Sequence, residues 1–153
     1  MGHYLIGIDA GNTSSKVVIF DADGDIVSIA STPSLHYKRR GEGFEEFDVD
    51  ELWSLISTCI KTAITQANIS AADIKGIGVT SFGNGVVIVG KNGETIAPGV
   101  FSQDHRADDI ISMYQESGAY DKINSIVKGP LFAGEPGPII RWYKEHDSEV
   151  YDK

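Results

Sequence analysis

Apolar and polar positions alternate or recur along this chain with periods that predict an α/β fold in the order βββαβ. Residues 5–8 form a bounded apolar run, and 16–20 are rich in β-branched side chains, so both read as strands buried on at least one face. Phe20-Asp21-Ala22-Asp23-Gly24-Asp25 reads as a hairpin turn leading to a third, antiparallel strand over 26–31. After a polar connection over 33–47, Asp48 stands as a helix cap with Glu51 three residues later. Leu52, Ile56, Cys59, Ile60, Ala63 and Ala67 then recur at helical spacing to about Asn68, with Trp53 read as packing. The apolar run over 74–81 suits a central, parallel strand reached through that helix as a crossover.

Beyond it, 86–89 and 95–101 flank Gly90-Lys91-Asn92-Gly93, whose Asn-Gly pair signals an inserted β-hairpin. A helix with Ala107, Ile110, Ile111 and Tyr114 on its apolar side follows, and Asp104 is placed to cap it. A short helix over 120–127, a glycine- and proline-punctuated loop over 129–137 and a last helix over 139–146 complete the pattern. Pro138 lies in the first turn of that last helix, and Ile139, Trp142 and Tyr143 face inward. No repeat, low-complexity tract or linker divides the chain.

Composition narrows the class. At 153 residues the chain is the size of one domain, able to bury roughly 70% of its unfolded surface. A net charge of −9 disfavours nucleic acid, whose phosphates demand a basic face. The one basic cluster, Lys38-Arg39-Arg40, is followed by Glu42, Glu45 and Glu46 and reads as a solvated loop. No apolar run approaches a membrane span and no secretory signal opens the chain, so the expectation is no membrane partner. The single cysteine, Cys59, excludes an internal disulfide and fits a reducing cytoplasm.

Candidate chemistry gathers between the first two strands. Asp9 closes the first strand, and Ala10-Gly11-Asn12-Thr13-Ser14-Ser15 is longer than a tight hairpin needs. Small side chains let backbone N–H groups approach a phosphate, the hydroxyls of Thr13, Ser14 and Ser15 add donors, and Lys16 adds positive charge. Asp9 would face the Mg²⁺ that accompanies a polyphosphate, since that ion takes one or two carboxylates plus waters and phosphate oxygens. The plainer alternative is that Gly11 and Asn12 turn the chain and Asp9 caps it. Asp21, Asp23 and Asp25 have the spacing of a calcium loop, but Ile26 stands where glycine is required and Thr32 where glutamate is, so calcium is not expected.

Four segments in this order resemble the amino-terminal part of the FGGY family of carbohydrate kinases, among them xylulose, ribulose, gluconate and glycerol kinases. They are GIDAGNTSSKVVIFDADG, GFEEFDVDELW, IKGIGVTSFGNGVVIVGKNGETIAPGVFSQDHRA and GPLFAGEPGPIIRWYKEH. The resemblance implies a ribonuclease-H-like (actin-like ATPase) core and an enzyme that transfers the γ-phosphoryl of ATP to a hydroxyl of a small sugar or polyol. It places Asp9 near Mg²⁺ and the transferred phosphoryl, and Gly11, Asn12, Thr13, Ser14, Ser15 and Lys16 in the phosphate-facing turn. It assigns Asn84, Gly85, Asp104 and Arg106 to the substrate side, Arg106 with a role that is substrate-binding or structural. Phe82-Gly83-Asn84 departs from the Gln-Met-His of many xylulose kinases, and Gly134 stands near an aromatic position of glycerol kinases, which leaves the substrate open.

Family members are about three times longer. On that comparison residues 1–153 are expected to be a partial, substrate-side domain that stops before its last strand. The nucleotide-binding domain and the general base would lie outside the chain, and the fragment alone would be inactive. The rival expectation is a non-catalytic, actin-like nucleotide-binding or self-associating module, forming a homodimer through an unpaired strand edge.

Overall fold

The computed structural model describes residues 2–33, 35, 38 and 41–153. Arg39 and Arg40 of the basic cluster lie outside the described residues. The chain forms two compact units, Met1–Leu35 with Asp50–Phe82, and His36–Val49 with Gly83–Lys153. Each unit draws on two separated segments, so no linker in the sequence marks the division.

The first unit holds β1 (Tyr4–Ala10), β2 (Ser15–Phe20), β3 (Ile26–Ser31), α1 (Val49–Ala67) and β5 (Ile74–Ser81), with a single 3₁₀ turn at Ala71–Asp73 before β5. The sheet order is β3-β2-β1-β5, with β1 antiparallel to β2 and parallel to β5. The parallel strand expected over 74–81 is there, but among the described residues it lies at the sheet edge and not in the centre, since it pairs with β1 alone. Side chains alternate across the sheet. Ile6, Ile8, Ala10, Val17, Ile19 and Ala30 are buried together with Ile56, Cys59 and Ala63 of α1. At about 25 cal/mol per Å² of apolar area, that shared face is the main stabilising element of the unit. Trp53 is not packing: it is 68% exposed, because it follows Leu52 by one residue and so points about 100° away from the buried stripe. Asp21 organises the first hairpin, its Oδ1 accepting from the N–H groups of Asp23 and Asp25, so this carboxylate is already used in the turn.

The second unit contains β4 (Glu46–Phe47), β6 (Gly99–Val100), α2 (Asp108–Glu116), α3 (Ala119–Val127), α4 (Pro136–His146) and α5 (Ser148–Tyr151). The expected hairpin is present only as a loosely bridged ribbon. Val86 bridges Val100 and Val89 bridges Thr95 around a turn in which the Gly93 N–H donates to Gly90. Pro98 has no N–H to give a ladder, and the β6 register is instead taken by β4, Glu46 opposite Val100 and Phe47 opposite Gly99. Phe47 fills the place of a side chain at Gly99, where a Cβ would lie 2.2 Å from the ring. Asp104 does not cap the following helix: α2 starts at Asp108 with Ala107 at its cap and no side-chain bond there. The last helix starts earlier than expected, with Pro136 in its first turn, and buries Ile139 and Tyr143.

Candidate functional site

In the first unit, the register of the sheet assembles the candidate residues. Asp9 lies opposite Lys16 of β2 and, on its other side, opposite Thr80 of β5. All three are exposed, and all three line an open hollow of about 530 Å³ on the sheet face away from α1. Gly7 and Gly78, a register pair two residues back along β1 and β5, line the same hollow without adding a side chain to it, and the Phe20 ring lies 3.4 Å from where a Gly7 Cβ would stand. A carboxylate, an ammonium and a hydroxyl thus stand in one row across three strands, about 4.8 Å apart.

The turn between β1 and β2 supplies the rest. A Cβ at Gly11 would lie 2.8 Å from the Ser14 carbonyl, so the turn can close this tightly only with glycine there. Thr13 is exposed, and Asn12 and Ser14 are half-buried. Asn12 carries a buried Oδ1 with no hydrogen-bond partner, an acceptor that a bound donor would satisfy. Ser15 departs from expectation. It is 2% exposed, its N–H donates to the Thr32 hydroxyl and its carbonyl accepts from the Thr32 N–H, because the alternation that exposes Lys16 turns Ser15 toward α1. Ser15 is therefore a structural residue of the β2 entrance and offers no phosphate donor.

Among the described residues no group of three or more His, Cys, Asp or Glu forms a metal cage. A single exposed carboxylate in an open hollow fits a cation that keeps most of its waters and takes its remaining ligands from phosphate, which is the habit of Mg²⁺.

In the second unit, Asn84 and Gly85 have consecutive positive φ values of 61° and 74°. The Gly85 N–H donates to the Gly134 carbonyl, and a Cβ at Gly85 would lie 2.4 Å from the Val100 carbonyl, so only glycine lets the chain pass there. Asn84 itself is exposed. Asp104 is found in a different role from the one the resemblance implies, and Arg106 takes the structural one of its two expected roles. Asp104 is 1% exposed, and its Oδ1 accepts from the Arg106 backbone N–H and from Nε, while Oδ2 accepts from Nη2 and from the Glu45 N–H. Those bonds occupy the four lone-pair directions of a carboxylate, leaving none for a substrate hydroxyl.

Arg106 continues the cluster, donating to Glu46 Oε1 at 2.8 Å and to the Tyr143 hydroxyl at 3.0 Å, with Phe44, Trp142 and Tyr143 rings around the guanidinium. Burial works against the Arg106 charge, but the hydrogen bonds to Asp104 and Glu46 outweigh it and hold the pKa above the usual guanidinium value. The cluster ties residues 44–46, 104–106 and α4 together and fixes the loop that follows β6. Sequence pattern assigns no place in this cluster to Glu46 or Tyr143, and none beside Asp9 to Thr80, since each meets a partner distant along the chain.

The family model described as "FGGY family of carbohydrate kinases, N-terminal domain" matches residues 4–153. A "Probable L-xylulose kinase" from Haemophilus influenzae is 35% identical over 153 residues, covering 99% of this chain and 31% of that protein. The "L-xylulose/3-keto-L-gulonate kinase" of Escherichia coli is 30% identical over 151 residues, covering 99% of this chain and 30% of that protein. The chain thus spans about a third of the length of these relatives. In fold, the gluconate kinase of Lactobacillus acidophilus superposes with a TM-score of 0.91 at 22% identity, over 100% of this chain and 30% of that one. The glycerol kinase of Plasmodium falciparum, solved with ADP, gives 0.86 at 17% identity, over 99% of this chain and 30% of its own. The sheet order, the crossover helix and the matched length agree: this chain has the actin-like α/β fold and belongs to the FGGY family of carbohydrate kinases.

Proposed function

We propose that this chain is the amino-terminal, substrate-side part of an ATP-dependent kinase that transfers the γ-phosphoryl of ATP to a hydroxyl of a small sugar or polyol. The observation that carries the reading is the exposed pairing of Asp9 with Lys16 at the end of β1 and β2, beside a glycine-dependent turn, in a chain of this family. Mg²⁺ with ATP would supply the electrophilic phosphorus and neutralise its developing charge. Asp9 holds the cation side, Lys16 and the backbone of Gly11, Asn12, Thr13 and Ser14 hold the phosphate oxygens, and catalysis rests on positioning and charge neutralisation. On the acceptor side, Asn84 is the exposed polar group and Gly85 sets its backbone, while Asp104 and Arg106 act by fixing the loops. Relatives named for L-xylulose and for glycerol support a small polyhydroxylated acceptor.

The test is a coupled ADP-release assay against a sugar and polyol panel, run on the enzyme that carries this chain as its amino-terminal third. Sugar-dependent turnover is expected, and Asp9→Asn lowers kcat by roughly 10²-fold or more while the fold persists. Near-normal turnover of Asp9→Asn would remove the assignment. A cytoplasmic setting agrees with the lone buried Cys59 and with the absence, among the described residues, of a helix long and apolar enough to cross a membrane. A self-associating module is the second reading, favoured by the exposed β5 edge.

A further inference from the structure

The strand pairing that sets Lys16 on one side of Asp9 sets Thr80 on the other. β5 has one residue at this height whose side chain faces the hollow: Val79 and Ser81, its neighbours along the strand, alternate to the other face. Two kinds of polar group meet here. Lys16 is a pure donor and suits phosphate oxygens. Asp9, when ionised, only accepts and so does not bond to phosphate oxygens, while the Thr80 hydroxyl has lone pairs that accept as well as a proton that donates. Both can accept from the water molecules of a hydrated cation, each of which presents two protons. A cation that keeps its waters needs several such acceptors around it, and a single carboxylate cannot supply them all.

We infer that Thr80 is a positioning residue of this site, its hydroxyl accepting from a water on the divalent cation that Asp9 would hold, so that β5 steadies the cation from the side opposite Lys16. The inference rests on the reading of Asp9 as the cation-side carboxylate, and its test separates the two. Mn²⁺ with inorganic tripolyphosphate is titrated against the 153-residue chain, following electron paramagnetic resonance of free Mn²⁺ and water-proton relaxation of the bound ion. Thr80→Val, which suits a strand and removes only the hydroxyl's bonding, is expected to weaken Mn²⁺–tripolyphosphate binding about 5- to 10-fold, the worth of one hydrogen bond. It is also expected to change the relaxation of the ion's waters.

Thr80→Ser restores both readouts, which a merely structural threonine would not require, and Asp9→Asn abolishes binding. Far-ultraviolet circular dichroism and the urea midpoint verify the fold of each variant, with Thr80→Ala as a second hydroxyl deletion. If Asp9→Asn abolishes binding and both hydroxyl deletions leave affinity and relaxation unchanged, the role of Thr80 is overturned while that of Asp9 stands. If the wild-type chain does not bind, or binds equally with Asn at position 9, both fall.

Discussion

Arg106 has a planar guanidinium whose donors reach Asp104, Glu46 and Tyr143, all of them buried. Two carboxylates around one cation are tolerable only while that cation is present. Arg106→Met therefore leaves two desolvated like charges and is expected to lower stability by about 3–5 kcal/mol, whereas Tyr143→Phe removes the hydroxyl that accepts from Arg106 and costs about 1 kcal/mol. Urea unfolding followed by Trp142 fluorescence, in a Trp53→Phe background, reads this unit directly because Trp142 stacks near the guanidinium. Equal losses for the two variants would show that the cluster is not held by its charge balance. Cys59 provides a pH signature in the other unit: burial raises its thiol above the ordinary 9.0 and outweighs a hydrogen bond with the Val17 backbone that acts the other way. The folded state therefore keeps the proton longer than the unfolded state, and stability from this source is whole below pH 9.0 and declines as pH rises through the folded pKa. The fall in urea midpoint above that pH should be steeper in the wild type than in Cys59→Ala.

β5 pairs with β1 alone among the described residues, and its outer edge spans eight residues without proline. Ile77 and Val79 are 61% and 70% exposed, since the core under α1 is built from β1, β2 and β3 and reaches β5 only at Ile74. Lys75 is the one charge along that edge. Such an edge invites pairing with a second copy. Light scattering of the 153-residue chain is expected to show concentration-dependent association, reduced in an Ile77→Lys, Val79→Lys double variant whose circular dichroism is unchanged. A strict monomer at high concentration counts against it. In the second unit the β6 loop is held by close backbone passage: a Cβ at Gly134 would meet the Ser102 carbonyl at 1.8 Å. Gly134→Ala must move that loop and is expected to cost more than about 1–3 kcal/mol, the range for ordinary overpacking, in the same fluorescence assay.

At the scale of the whole molecule, ATP and a sugar panel added to the 153-residue chain are expected to yield no sugar-dependent ADP release, since the chain spans about a third of its relatives and phosphoryl transfer needs donor, acceptor and base held together. Clear turnover in the coupled assay would reverse that expectation. The net charge of −9 belongs to this scale too, acting on association and solubility more than on the local site, where Lys16 and backbone dipoles are closer than a screening length.

The sequence by itself determined the elements of the first unit. Apolar periodicity placed β3 and β5 at their observed bounds and α1 within a residue of its ends, and Asp9 with its glycine turn was visible as a carboxylate at a strand's tip. These are local properties, set by side-chain period and turn chemistry within a few residues. Only the tertiary structure decided the rest. Whether Asp104 caps a helix or locks Arg106 depends on Glu45, Glu46 and Tyr143 arriving from elsewhere in the chain. Whether Ser15 faces a ligand or the core depends on which side of the sheet α1 occupies. Thr80 becomes a neighbour of Asp9 only when β5 pairs in parallel with β1, a contact across some seventy residues that no local pattern encodes.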